Sequence, residues 1–404
     1  MIVRALSSGT AQCPAMHVAA YTALCWALAA PCVAGAQAPV PAVQLGFGVD
    51  TTTADVGDVV RLMRAYLAQP DSTARARGLW SCASAFDLRV GDVTAPEAYQ
   101  GFPATIIGVT GVTVEPQIRR DSAYVVKVLY ARYDSAQRRI APLALQRLYA
   151  VREPGGPFPF RLSGALPRLT RTWERRSVGR MTFWYAPGQQ SNSAKIARAA
   201  HFVDSVASLF RVEPPDHMDV YVTASSDEAQ RTIGLDFFPG PSGPGEGNGG
   251  LTLPHGIVLV GNPRIGEAYL HEFVHVILGP AFSVTSQLFA EGVATWLGGS
   301  QDRSPEEMYV ALRAYQAAHP EVTLSDLLRK HSLPGGARAW TDVMYATGAR
   351  VADVIYRRSG VDGLRRFAQV PGTPDSLLTS LPALLGLPAS GPSALDRWWR
   401  TVPP

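Results

Sequence analysis

The sequence predicts an α+β protein built from two successive modules, and two patterns carry that expectation. Between residues 105 and 153, runs rich in Val, Ile, Leu and Tyr alternate as strands. From residue 268 onward, apolar residues recur at helical spacing almost to the end. Segregated strands and helices, rather than a regular strand–helix alternation, mark the α+β class. With 404 residues and 47% hydrophobic content, the chain is able to bury a large core and is long enough for more than one domain.

Residues 1–36 read as a secretory signal. Arg4 precedes an apolar stretch from about Val18 to Val33, followed by Ala34-Gly35-Ala36 as a small-x-small cleavage signature. Cleavage near Ala36 puts the mature start near Gln37 and the product outside the cytoplasm, periplasmic or secreted. Met16 is an alternative start, since the residues before it add little to the signal. The apolar stretch has under about 18 residues, short for a spanning helix, and no later segment is long and apolar enough to cross a bilayer. Pro31 stands before Cys32 where a lipid-attachment signal wants a small residue, so an anchor is not expected. Signal removal takes Cys13, Cys25 and Cys32 and leaves Cys82 alone. A single thiol forms neither an intramolecular disulfide nor a zinc–thiolate site.

Residues 37–44 are a linker. The first module, residues 45–167, opens with helical spacing over Asp55 to Gln69 (Val59, Leu62, Met63, Tyr66, Leu67), stopped by Pro70. Strands follow at Thr105 to Glu115, Ala123 to Tyr133 and Ala144 to Glu153. Asp134-Ser135 and Pro154-Gly155-Gly156 serve as turns. The run Leu145 to Val151 leading to Phe160-Arg161-Leu162 resembles the closing hairpin of an NTF2-like cone. No catalytic cluster falls here, which points to an accessory or substrate-positioning role.

The second module, residues 172–401, alternates strand and helix before turning helical. Strands are expected at Met181 to Tyr185, Met218 to Val222 and Ile257 to Val260, with helices at Ala194 to Phe210 and Ser225 to Ile233. Phe238 to Gly250 is rich in Pro and Gly and reads as a loop. Helices follow at Ala268 to Leu278 (closed by Gly279-Pro280), Ser286 to Leu297, Pro305 to Ala318, Leu324 to Arg329 and Tyr345 to Arg358. Shorter pieces continue to Trp399. The 37 basic residues nearly balance the 33 acidic ones, so nucleic acid and anionic membranes are not expected partners.

The chemistry concentrates at His271-Glu272-Phe273-Val274-His275. Residues four apart share one helix face, so both imidazoles reach one metal ion. Zinc takes such nitrogens and keeps open positions for water, and Glu272, beside them, is placed to accept a proton rather than to ligate. Two histidines leave the site short of a ligand. Glu291 supplies it, because Gly279-Pro280 ends the first helix and a short connection returns the second alongside. The bland alternative is a core helix with two satisfied histidines and a surface carboxylate. A helix filled by Phe273, Val274, Val276, Ile277 and Leu278 rarely takes three ionisable groups in five residues unless they are paired or metal-bound.

His271-Glu272-x-x-His275 followed by Glu291-Gly292-x-Ala294 resembles the gluzincin branch of zinc metallopeptidases, in particular the bacterial peptidase MA-like proteins. Tyr345-Ala346-Thr347-Gly348, leading into Val354 to Gly360, is similar to the helix that follows the active site in that family. Leu385-Gly386-Leu387 to Leu395-Asp396-Arg397-Trp398-Trp399 is similar to its closing segment. The resemblance spans about Thr172 to Thr401. It implies a small mixed sheet, an active-site helix and a mostly helical C-terminal part. It implies zinc held by His271, His275 and Glu291, Glu272 as general base, and hydrolysis of peptides or proteins. Tyr345 is the expected oxyanion donor, or else a packed tyrosine with a satisfied hydroxyl. His331 is the other candidate for that role, set against a solvent-facing reading near a loop, and His255 reads as solvent-facing too. Ile257 to Val260 either holds an extended substrate by β-augmentation or is an edge strand without a ligand. The Gly-x-Met-x-Asn pattern of aminopeptidase relatives is missing, which leaves aminopeptidase specificity unsupported. The alternative function is a non-catalytic peptide- or protein-binding protein that keeps the fold, although neither a ligand nor the base is missing.

Overall fold

A computed structural model describes residues 43–67, 78–81, 105–114, 123–134, 139–153, 155–237, 249–282, 286–330, 332–388 and 392–401. The expected signal and cleavage site, Cys82 and His331 lie outside these residues, as does most of the expected loop, 238–250. The chain is α+β, as the segregated patterns predict.

The first sheet runs in the order β1 (Val43–Leu45), β2 (Thr105–Val114), β3 (Ala123–Asp134), β4 (Arg139–Arg152) and β5 (Phe160–Ser163). Only β1–β2 is parallel; the others pair with their sequence neighbours in antiparallel fashion. The expected hairpin is present as β4–β5, although β4 begins at Arg139, ahead of the predicted Ala144. Helix α1 (Ala54–Leu67) buries Val59, Leu62, Met63 and Tyr66, one face at helical spacing, against Val126, Val128, Leu148, Phe160 and Leu162.

Helix α2 (Leu166–Leu169) leads into a second, mixed sheet in the order β10-β11-β8-β7-β6. Its strands are β6 (Glu174–Val178), β7 (Met181–Tyr185), β8 (Met218–Val222), β10 (Gly250–Leu253) and β11 (Ile257–Val260). The β7–β8 and β8–β11 pairs are parallel, with antiparallel pairs at both edges. Met181, Phe183, Val220, Val222, Val258 and Val260 face the main core with α3 (Ser193–Phe210). Tyr221, Ile257 and Leu259 face the opposite side, toward α4 (Ser226–Thr232). Four strands were not expected: β1, β6 and the two that follow. β9 (Leu235–Phe237) follows α4 and crosses the expected module boundary to pair with β4, where Arg147 Nε donates to Asp236 Oδ2 at 3.2 Å. β10 starts at Gly250, the last residue of the expected loop, and takes in Leu251 to Leu253, for which no element was expected; its presence makes β11 an inner strand. Ile257–Val260 is therefore not an edge that an extended substrate can join; β10 holds that position.

The remainder is helical: α5 (Leu270–Leu278), α6 (Gln287–Gly298), α7 (Pro305–Ala318), α8 (Leu324–Arg329), α9 (Gly336–Ala368), α10 (Pro374–Leu385) and α11 (Pro392–Thr401). Ser286, Ser304 and Thr323 accept hydrogen bonds from first-turn N–H groups, which sets the starts of α6, α7 and α8. The predicted helix Tyr345 to Arg358 is the middle of the much longer α9, which kinks at Gly360 (φ 59, ψ −154). Trp399 on α11 donates to Thr347 Oγ1 at 3.0 Å, so the C-terminal segment packs behind the middle of α9. Among the described residues, no helix is long and apolar enough to cross a membrane.

Candidate metal centre

Helix α5 buries every residue but His275, so His271 and Glu272 lie in the core, where an ionisable group is rare without a partner. Its entry is fixed by Glu267, a buried carboxylate in the preceding 3₁₀ turn. Glu267 Oε1 accepts from the Tyr185 hydroxyl at 3.0 Å and from the Asn192 N–H at 2.6 Å, tying β7 and the start of α3 to the turn. The turn then delivers His271, Glu272 and His275 into the space between the second sheet and α6.

Three donor atoms converge there. His271 Nε2 lies 3.1 Å from Glu291 Oε2, His275 Nε2 lies 3.5 Å from the same oxygen, and the two Nε2 atoms are 3.2 Å apart. His271, His275 and Glu291 thus form a group able to hold a metal ion. His271 is 4% exposed, whereas His275 and Glu291 keep 21% and 16%, so the cluster opens to solvent on their side. His271 Nδ1 lies 2.9 Å from the Gly299 carbonyl at the end of α6. A carbonyl only accepts, so Nδ1 carries a proton here, and loss of the Nε2 proton to an incoming ion would turn that lone pair toward the cluster. The returning helix therefore supplies one of the three donor atoms, and the residue at its end orients another.

Glu272 sits apart from the donor atoms. Its Oε2 accepts from the Thr252 hydroxyl on β10 at 2.7 Å, and its Cγ lies 3.0 Å from where a side chain on Gly250 would begin. The Tyr345 ring stacks on His271 with centroids 5.6 Å apart and planes 8° from parallel. Burial and then the negative charge of Glu291, to which it hydrogen-bonds, hold the Tyr345 hydroxyl well above the usual phenol range. Burial, followed by the charges of Glu272 and Glu291, does the same for Tyr269. Both phenols remain protonated donors. His255 is exposed in a turn at φ 67, away from this cluster.

All five predicted site residues therefore meet. Sequence reasoning overlooked Thr252, Tyr269 and the Gly299 carbonyl. Leu251-Thr252-Leu253 alternates as a short strand, and reading it so would have set Thr252 against the face of α5. A main-chain carbonyl leaves no residue signature at all. Comparison with known protein families finds no matching family model, and no curated protein matches the sequence significantly.

Proton and metal compete for this cluster. Burial disfavours the charged form of His275, but the charge and hydrogen bond of Glu291, with the charge of Glu272, outweigh it and raise the pKa to about 9. Burial likewise opposes ionisation of Glu291, and the two histidines more than offset it, holding the carboxylate far below its usual range. An ion entering must expel the His275 proton, so affinity should fall as pH drops below about 9, approaching tenfold per unit for one proton displaced. Competition of zinc against a calibrated chelator at pH 6, 7 and 8 measures this slope. An affinity independent of pH would exclude His275 as a ligand.

Proposed function

We propose that the protein is an exported zinc-dependent peptidase of gluzincin type, cutting peptide bonds in peptides or proteins. One observation carries the reading: three metal-binding atoms converge while a fourth group, Glu272, stands beside them on its own hydrogen bond. Tetrahedral zinc with ligands at about 2.0–2.1 Å requires donor atoms roughly 3.3 Å apart. The observed separations run from 3.1 to 3.5 Å. Two imidazoles and one carboxylate also suit zinc better than magnesium or calcium, which prefer oxygen alone. A structural zinc site is normally closed by four protein ligands, and here three are gathered.

When bound, zinc supplies the Lewis acidity that polarises a carbonyl and brings the pKa of water toward about 7. The protein's own groups do the rest. Glu272 uses the carboxylate oxygen not engaged by Thr252 to accept the proton of the attacking water, then passes it to the departing amine. Tyr345, protonated and beside Glu291, becomes the donor for the negative charge that develops on the carbonyl oxygen by turning its one O–H from Glu291. Among the described residues no strand covers the outer edge of β10, which runs past Glu272, and an extended peptide chain pairs there by backbone hydrogen bonds.

The test is metal analysis joined to mass spectrometry of a broad peptide library. About one zinc per chain and cleavage that stops with a chelator and returns with zinc are expected. Stoichiometric zinc with no cleavage in any peptide would replace this reading with that of a binding protein.

A further inference from the structure

Resting on the reading of Glu272 as general base, we infer that Thr252 is a positioning residue for that base. Its hydroxyl fixes one oxygen of the Glu272 carboxylate and leaves the other for proton transfer. Glu272 is only 7% exposed, and a buried carboxylate without hydrogen bonds is strongly disfavoured. Among the described residues, the Thr252 hydroxyl is the only side chain that donates to it. That hydroxyl has one proton and two acceptors in reach, Glu272 Oε2 at 2.7 Å and the Glu272 main-chain oxygen at 3.1 Å. The shorter, charge-assisted contact takes the proton.

The strand is shaped for this contact. Gly250 and Thr252 are two residues apart on β10 and so face the same side, toward α5. A side chain at Gly250 would meet the Tyr269 ring at 2.2 Å and Glu272 Cγ at 3.0 Å, so the missing side chain lets β10 lie against the base. The Gly261 N–H donates to the Gly249 carbonyl, which continues the ladder of the register Leu251↔Leu259 and Leu253↔Ile257. In an antiparallel pair the hydrogen-bonded positions alternate. Leu251 and Leu253 therefore bond inward to β11, and the backbone groups of Gly250 and Thr252 turn to the outer edge, which no strand covers among the described residues. One residue thus offers its backbone to an incoming peptide and its side chain to the base. Occupation of the edge and alignment of the carboxylate are coupled through Thr252.

The experiment uses the full chain loaded with Co²⁺ and the probe acetohydroxamate, a metal chelator that hydrogen-bonds to a neighbouring carboxylate. Binding is followed by the visible spectrum, with no turnover involved. Thr252→Val is expected to weaken the probe about tenfold, the scale of one hydrogen bond to a charged group. Thr252→Ser is expected to restore binding to within about twofold of wild type, with Co²⁺ affinity unchanged in both variants. In a Glu272→Ala background the valine substitution should have no further effect, because the coupling is between these two side chains. If Thr252→Val weakens the probe equally in both backgrounds, or if serine does not rescue, the positioning role is wrong. If Glu272→Ala alone leaves probe affinity unchanged, Glu272 does not face the metal; the peptidase reading then falls, and this inference falls with it. A Thr252→Val effect lost in the Glu272→Ala background establishes the positioning role even where no peptide substrate is yet known.

Discussion

Glu272→Gln should leave the protein folded and its metal content unchanged while lowering peptide hydrolysis by about a thousandfold or more, the scale of a lost general base at a metal-activated water. The substitution keeps the shape and the acceptor oxygen that the Thr252 hydroxyl uses, so β10 stays where it is. It removes only the ability to take a proton. The three donor atoms belong to His271, His275 and Glu291, so the metal has no reason to leave. Inductively coupled plasma analysis and kcat/KM on one cleaved library peptide decide the matter together. A variant with full zinc and undiminished kcat/KM would show that the proton goes elsewhere. One that loses its zinc would show that Glu272 is a ligand.

The part of the site that was legible in the sequence is the part that obeys a fixed local period. His271 and His275 are one helical turn apart, and that spacing alone places their nitrogens together. Glu291 was legible because Gly279-Pro280 and a short connection leave the next helix one sensible path. What stayed hidden depends on pairing rather than on local propensity. β9 and β10 are three and four residues long and flank a Pro- and Gly-rich run, so local propensity argues against them. β9 exists because β4 pairs with it from far back in the chain, and β10 because it folds back on β11 across the short turn Pro254–Gly256. Once β10 is in place, β11 moves from the edge to the interior, and the expected substrate edge shifts with it. The length of α9 was obscured in a similar way. The helix expected over Tyr345 to Arg358 stops short of Ser359-Gly360, yet the chain continues helical through Gly360 with a kink.

Adding a single methyl group at Gly348 should cost about 1–3 kcal/mol of stability and weaken metal binding at the same time. Helices α6 and α9 touch through glycine. A side chain at Gly348 would lie 2.5 Å from the Leu288 carbonyl oxygen and 2.7 Å from Gly292 Cα, and one at Gly292 would lie 2.5–2.6 Å from the Gly348 backbone. All these neighbours are main chain, so no rotamer change makes room and the helices must part. Glu291 precedes Gly292 on the same helix, and the Gly299 carbonyl that orients His271 ends it. A shift of α6 therefore displaces one ligand and loosens the hydrogen bond that aims another. Gly348→Ala should lower the melting temperature by several degrees and weaken zinc at least tenfold in chelator competition. Gly57→Ala in α1 is the contrast, because its new methyl meets nothing closer than 3.7 Å and replaces a poor helix former with the best one. That variant should be neutral or slightly more stable with unchanged zinc affinity. Equal behaviour of the two would mean that the glycine contact does not set the position of Glu291, and that the metal site tolerates a looser pairing of α6 and α9 than these distances require.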